Sequence, residues 1–209
     1  MNHLAHCWLA KGNEGHIAGG FLGDFYKGPI RRDLSEELQE GIRLHRYIDS
    51  LTNQMPEMRS TYSRFGTELR RVAPILLDLV ADHLLARHWD RYGTGELTDF
   101  TSKCYRIIGQ YEIPPTGKRF FHHVVSRNLW CEYTDFDVIL SVMCRILMRL
   151  RLDDRATHLS KLEPRIEDFH QDFREYFPIL VDKVQTWKAS NTAAIEKVNQ
   201  SRPCGVQST

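Results

Sequence analysis

The chain has 209 residues, of which 42% are hydrophobic and 26% charged, and its formal net charge is +1. That composition suits one globular domain with a substantial core, excludes a spanning helix because no apolar run is long enough, and favours no partner class by charge alone. The five cysteines, Cys7, Cys104, Cys131, Cys144 and Cys204, are odd in number and lack CxxC spacing, which argues against a disulfide framework or a thiolate zinc site and for reduced thiols in a cytoplasmic protein.

Residues 2–10 read as a short helix with His3 and His6 on one face. The start, MNHLAHCWLA, lacks the basic region and the length of a secretory signal. After a loop at 11–15 comes HIAGGFLGDFYKG, where Ile17, Gly20, Phe21 and Asp24 share one face at helical spacing. Glycines at 19, 20 and 23 cost a helix roughly 1 kcal/mol each against alanine. The usual return is close backbone approach or access for a ligand. Two readings of Asp24 stand: an inward carboxylate beside such an opening, or a residue satisfied by a neighbour across a tight helix crossing. Gly28-Pro29 ends the segment.

Residues 36–52, EELQEGIRLHRYIDSLT, form an amphipathic helix. Leu38, Ile42, Leu44, Ile48 and Leu51 spread over one side, and His45 and Asp49 fall in its middle, one turn apart. An imidazole and a carboxylate buried there need to be paired or metal-bound. A turn at 53–56 and a short helix over 57–68 follow. From Ala73 to Ala86 the chain is apolar nearly all round, the pattern of an enclosed helix, interrupted by Asp78, Asp82 and His83. Asp78 and Asp82 line one stripe, whereas His83 points about 100° away.

Further helices are expected over 100–111, 119–132 and 135–150, and a long one from Leu162 with Pro164 in its first turn and a kink at Pro178. Phe169, Phe173, Phe177 and Leu180 on it read as packing. After residue 188 the chain turns polar, so 189–209 reads as a disordered tail behind a single domain, 1–188. Alternating strand patterns are scarce, and the expected class is all-α.

The inward ionisable residues are His6, Asp24, His45, Asp49, Asp78, Asp82 and His83, which consecutive helices could bring to one pocket. Carboxylate and imidazole without thiolate suit Mn²⁺, Mg²⁺ or Fe²⁺. Such a site hydrolyses phosphate esters by polarising the phosphoryl group and activating water. The competing reading is a core salt-bridge network. Arg31, Arg32, Arg43, Arg46, Arg59, Arg64, Arg70 and Arg71 crowd the same third of the chain. They form either solvated helix faces or a basic rim for an acidic partner. Aromatic interleaving for nucleic acid is poor there.

MNHLAH, GGFLGDFYKG, GIRLHRYIDSLT and RRVAPILLDLVADHLLARHW together resemble the acyl carrier protein phosphodiesterase family, with less distinctive similarity to about residue 188. The resemblance implies a cytoplasmic, Mn²⁺-preferring hydrolase that removes 4′-phosphopantetheine from holo-acyl carrier protein. It also implies an all-helical fold related to the HD-domain phosphohydrolases. The HD pattern contains an adjacent His-Asp pair, whereas this chain has Asp82-His83, so any shared site is rearranged. On the family's motifs the expected ligands are Asp24, His45, Asp49 and Asp82. The expected catalytic groups are Asp24, His83 and His6, and the expected carrier-binding residues are Arg31, Arg32, Arg43 and Arg46. The alternatives are a phosphohydrolase acting on a nucleotide or another small phosphate ester, and a non-catalytic carrier-binding protein.

Overall fold

The computed structural model describes residues 2–200, with side chains to residue 191. Every regular element among them is helical. In order they are α1 (His3–Leu9), α2 (Glu14–Leu22), α3 (Glu36–Gln54), α4 (Pro56–Ser63), α5 (Gly66–Leu69), α6 (Ala73–Arg87) and α7 (Trp89–Tyr92). Then follow α8 (Leu97–Ile108), α9 (Pro115–Arg127), α10 (Leu129–Glu132), α11 (Phe136–Arg149), α12 (Arg155–Ser160), a 3₁₀ turn (Glu163–Arg165) and α13 (Ile166–Gln200). None is long and apolar enough to cross a membrane.

The enclosed helix is α6. Leu76, Leu77, Val80, Ala81, Leu84 and Leu85 on it are buried, and α1, α4, α11 and α13 pack around it. Phe169, Phe173, Phe177 and Leu180 of α13 are buried as packing residues. The helix runs on past Pro178 to Gln200. The expected tail boundary at 188 therefore falls inside α13, and residues 201–209 lie outside the described residues. Cys204 lies there too, while the cysteines at 7, 104, 131 and 144 are free thiols.

Two expected helices are each broken in two. Gly66 adopts φ +77° and separates α4 from α5. Asn128 adopts the left-handed conformation, φ 48°, and separates α9 from α10. Asparagine tolerates that region better than most side chains because its short amide bonds locally.

The pair that matters for the site is α2 with α3. α2 starts on Asn13, whose side chain accepts from the His16 amide at 2.9 Å. α3 starts on Ser35, which accepts from Leu38 at 3.4 Å. The two helices touch backbone to backbone: a Cβ added at Gly19 would overlap the backbone of Gly41. The glycines that weaken α2 as an isolated helix thus permit this crossing. It brings the end of α2, and Asp24 just after it, over the middle of α3.

Candidate metal centre

α3 presents His45 and Asp49 toward α1 and the end of α2. His45 donates from Nδ1 to the Gly20 carbonyl, 3.1 Å away. A carbonyl only accepts, so Nδ1 carries a proton. Nε2 faces Asp49 Oδ2 at 3.3 Å and Asp24 Oδ1 at 3.8 Å. Gly23 makes room for the ring, since a Cβ there would strike His45. From α1, His6 Nε2 approaches Asp49 Oδ1 at 3.0 Å, and its ring lies over that of His45 with centroids 4.1 Å apart. The ligand atoms of His6, His45 and Asp49 all fall within 4.8 Å of one another.

The imidazoles form a floor and the carboxylates a mouth. The side chains of His6 and His45 are 0% and 3% exposed, and those of Asp49 and Asp24 are 42% and 46% exposed. Asp24, Asp49 and the half-buried Asp78 of α6 line one cleft of about 360 Å³, with Thr52, Asn53 and apolar Ile75 and Leu79. Burial pushes the Asp24 carboxyl up, but His3, His45 and His6 together pull it below its usual value. Asp49 behaves likewise: burial raises it and the bonds from His45 and His6 lower it much further. Asp78 is raised, first by burial and also by Asp49 and Asp24. Three carboxylates sharing a cleft repel unless positive charge sits among them.

His3 completes the group. Its Nε2 lies 3.7 Å from Asp24 Oδ2, and Phe21, Phe25 and Phe120 surround its ring. Burial lowers His3 to about 4 and His6 to about 3, so both are neutral near pH 7. His3 is the site residue that the sequence reading did not select. Its signal was the three-residue spacing to His6, which places both on one face of α1.

Asp82 and His83 do not join the cluster. Asp82 is fully buried, and its oxygens accept the Leu4 and Ala5 amides at 3.0 and 2.8 Å. It thus satisfies the N-terminus of α1, whose own Asn2 makes no side-chain cap. Burial raises the carboxyl to about 7 against the pull of those two amides. With both oxygens turned onto α1, Asp82 holds the segment between His3 and His6. His83 points the other way, with Nδ1 bonded to the Tyr133 carbonyl at 2.7 Å.

Of the expected arginines, Arg46 donates to the Tyr26 and Gly28 carbonyls at 2.8 and 2.7 Å and so pins the turn after α2. Arg31 pairs with Asp33, and Arg43 donates to Gln39 at 3.3 Å. Arg32 is exposed. Arg64 is engaged by Asp172 at 2.6 Å and Asp168 at 3.1 Å. Exposed Arg59 and Arg70 line a groove of about 500 Å³ with Tyr62, Ser63 and Thr67, and Pro74 is common to this groove and the carboxylate cleft.

The sequence comparisons agree with one another. A sequence model described as "Acyl carrier protein phosphodiesterase" matches residues 1–180. The chain is 34% identical over 191 residues to the acyl carrier protein phosphodiesterase of Escherichia coli O6:H1 (strain CFT073), covering 88% of this chain and 97% of the relative. It is 36% identical over 185 residues to the protein of the same name from Escherichia coli O157:H7 (strain EC4115), covering 81% and 94%. No solved structure matches the chain at a significant level. The matched span runs from α1 into α13 and includes His3, His6, Asp24, His45, Asp49 and Asp78. With a family match over most of its length and the relatives covered almost end to end, the chain belongs to the acyl carrier protein phosphodiesterase family.

Proposed function

We propose that this chain is a metal-dependent phosphodiesterase that hydrolyses holo-acyl carrier protein to apo-acyl carrier protein and 4′-phosphopantetheine in the cytoplasm. The family supplies the reaction. The observation that carries the metal is the cluster of His6, His45 and Asp49, whose ligand atoms all lie within 4.8 Å of one another. Imidazoles and carboxylates without thiolate fit Mn²⁺, with Mg²⁺ or Fe²⁺ as neighbours in preference. His6, His45 and Asp49 would hold the ion, with Asp24 at the open side. The Gly20 carbonyl behind His45 is the outer support that fixes such a ligand. A bound divalent ion supplies Lewis acidity to the phosphoryl group and makes water a better nucleophile.

The chain's own residues do the rest. Asp24, ionised and half exposed, takes the proton from the attacking water. His3 Nε2 stands beside that carboxylate. Water adds to phosphorus, the bond from phosphorus to the carrier's serine oxygen breaks, and the Asp24–His3 pair returns the proton to that oxygen. His6 serves as a ligand here, and Asp82 positions α1. Carrier proteins are small and acidic, and Arg59 and Arg70 beside the cleft offer the complementary charge, with exposed Arg32 as a further contact.

The test is mass spectrometry of holo-acyl carrier protein incubated with the protein and Mn²⁺, then with chelator. Loss of one phosphopantetheine only with metal is the expected result. An unchanged carrier mass from a folded, metal-supplied sample would refute the assignment.

A further inference from the structure

A second cavity, of about 360 Å³, lies between α6, α13 and the 3₁₀ turn before it, and shares no lining residue with the carboxylate cleft. Its wall includes His83, Arg87, His88, Glu163, Glu167 and His170. His83 is 1% exposed, and its Nδ1 proton is committed to the Tyr133 carbonyl. Its Nε2 is therefore a bare lone pair, and this atom is buried without a partner. Burial, above all, lowers the ring to about 4, so it is neutral. His170 repeats the pattern. Its Nδ1 faces Glu167 Oε1 at 3.4 Å, and its Nε2 is also buried without a partner. A buried polar atom left unsatisfied is unfavourable, and here two residues with an unpartnered ring nitrogen line one cavity.

A lone pair needs a cation or a hydrogen donor. An imidazole whose far nitrogen is held by a carbonyl or a carboxylate is the arrangement that supports metal ligation. Glu163 and Glu167 add carboxylates to the same wall, which offsets the charge of Arg87. We propose that His83 and His170 are ligands of a second metal site, for a Zn²⁺-class borderline cation, with Glu163 and water completing the shell. The imidazoles are set in advance. Three ligand atoms are not already closed around a point, as they are at His6, His45 and Asp49, so exposed Glu163 swings in on binding. The site would tie α13 to α6 and stabilise the fold. It does not depend on the reaction proposed above.

Chelator-stripped full-length protein is titrated with Zn²⁺ by calorimetry and then melted with and without the metal. His170→Gln, at a partly exposed position of α13, is the first variant, because His83→Gln in the core risks misfolding. His170→Gln is expected to stay folded, to lose one equivalent of Zn²⁺ and most of the metal-induced rise in thermal midpoint, and to keep Mn²⁺-dependent hydrolysis of the carrier. Glu163→Gln is expected to weaken the same equivalent. Zn²⁺ stoichiometry and midpoint shift equal to wild type in folded His170→Gln would overturn the proposal, as would the absence of any Zn²⁺ bound beyond the cleft.

Discussion

Single side chains here do sharply different work although the sequence presents them alike. Asp24, Asp49 and Asp82 are all carboxylates on inward faces, yet two line an open cleft and one seals a helix end. Their substitutions should therefore separate. Asp24→Asn removes the base while keeping the shape, so kcat should fall about 10²–10⁴-fold with the melting temperature nearly unchanged. Carrier turnover followed by mass spectrometry, beside a thermal melt, checks both parts. A variant that kept its turnover would remove Asp24 from the chemistry. Asp82→Ala should do the opposite. It strands the buried Leu4 and Ala5 amides, and about 1–3 kcal/mol of stability is lost for each. Asp82→Asn keeps one accepting oxygen and should recover part of that loss in denaturant unfolding. Recovery to wild type by a residue that cannot accept at all would show that the cap contributes nothing.

The elements were easier to read than their ends or their encounters. Periodicity located α3, α6 and α11 because each turns a steady apolar stripe or an enclosed surface to the core. It ran α9 into α10, because Asn128 enters the left-handed region without any glycine or proline to mark it. It placed Asp82 and His83 about 100° apart but could not say what each would meet. Those partners, the α1 amides and the Tyr133 carbonyl, come from 78 and 50 residues away. His3, noted beside His6, was not selected for the same reason: its neighbour Asp24 belongs to another part of the chain. The glycines of α2 were legible as an invitation to close approach, and the approach is to Gly41 and His45. Gly23→Ala tests that contact at the helix scale. Its methyl would push the His45 ring, costing about 1–3 kcal/mol by overpacking. A ring displaced by roughly 1 Å can cost on the order of 10²-fold in rate. Both are read from unfolding and from kcat at saturating carrier. A fully active Gly23→Ala would mean that the ring position is not critical.

At the scale of the whole molecule, the domain buries several neutral histidines, and this sets its response to acid. His3, His6 and His83 are lowered to about 4, 3 and 4, chiefly by burial, and His16 and His88 are lowered too. In the unfolded chain each would titrate near 6.5. Below that pH the unfolded state binds protons that the folded state refuses, so stability is present above about pH 6.5 and drains away as pH falls toward 4. Asp82, raised to about 7, and Asp78, also raised, act in the opposite sense, since the folded state keeps their protons as pH rises above the ordinary carboxyl range. Five histidines against two carboxyls leave the histidines in control. Asp24 and Asp49, both lowered, add to the loss only under still stronger acid. In chelator, the denaturant midpoint should therefore decline steadily from pH 7 to pH 4.5. Added Mn²⁺ should raise the midpoint at pH 7, by about 2.7 kcal/mol at a hundredfold excess over its Kd. A midpoint independent of pH in chelator would show that the histidines are not buried neutral. No rise in midpoint with Mn²⁺ at pH 7 would show that His6, His45 and Asp49 do not hold the ion.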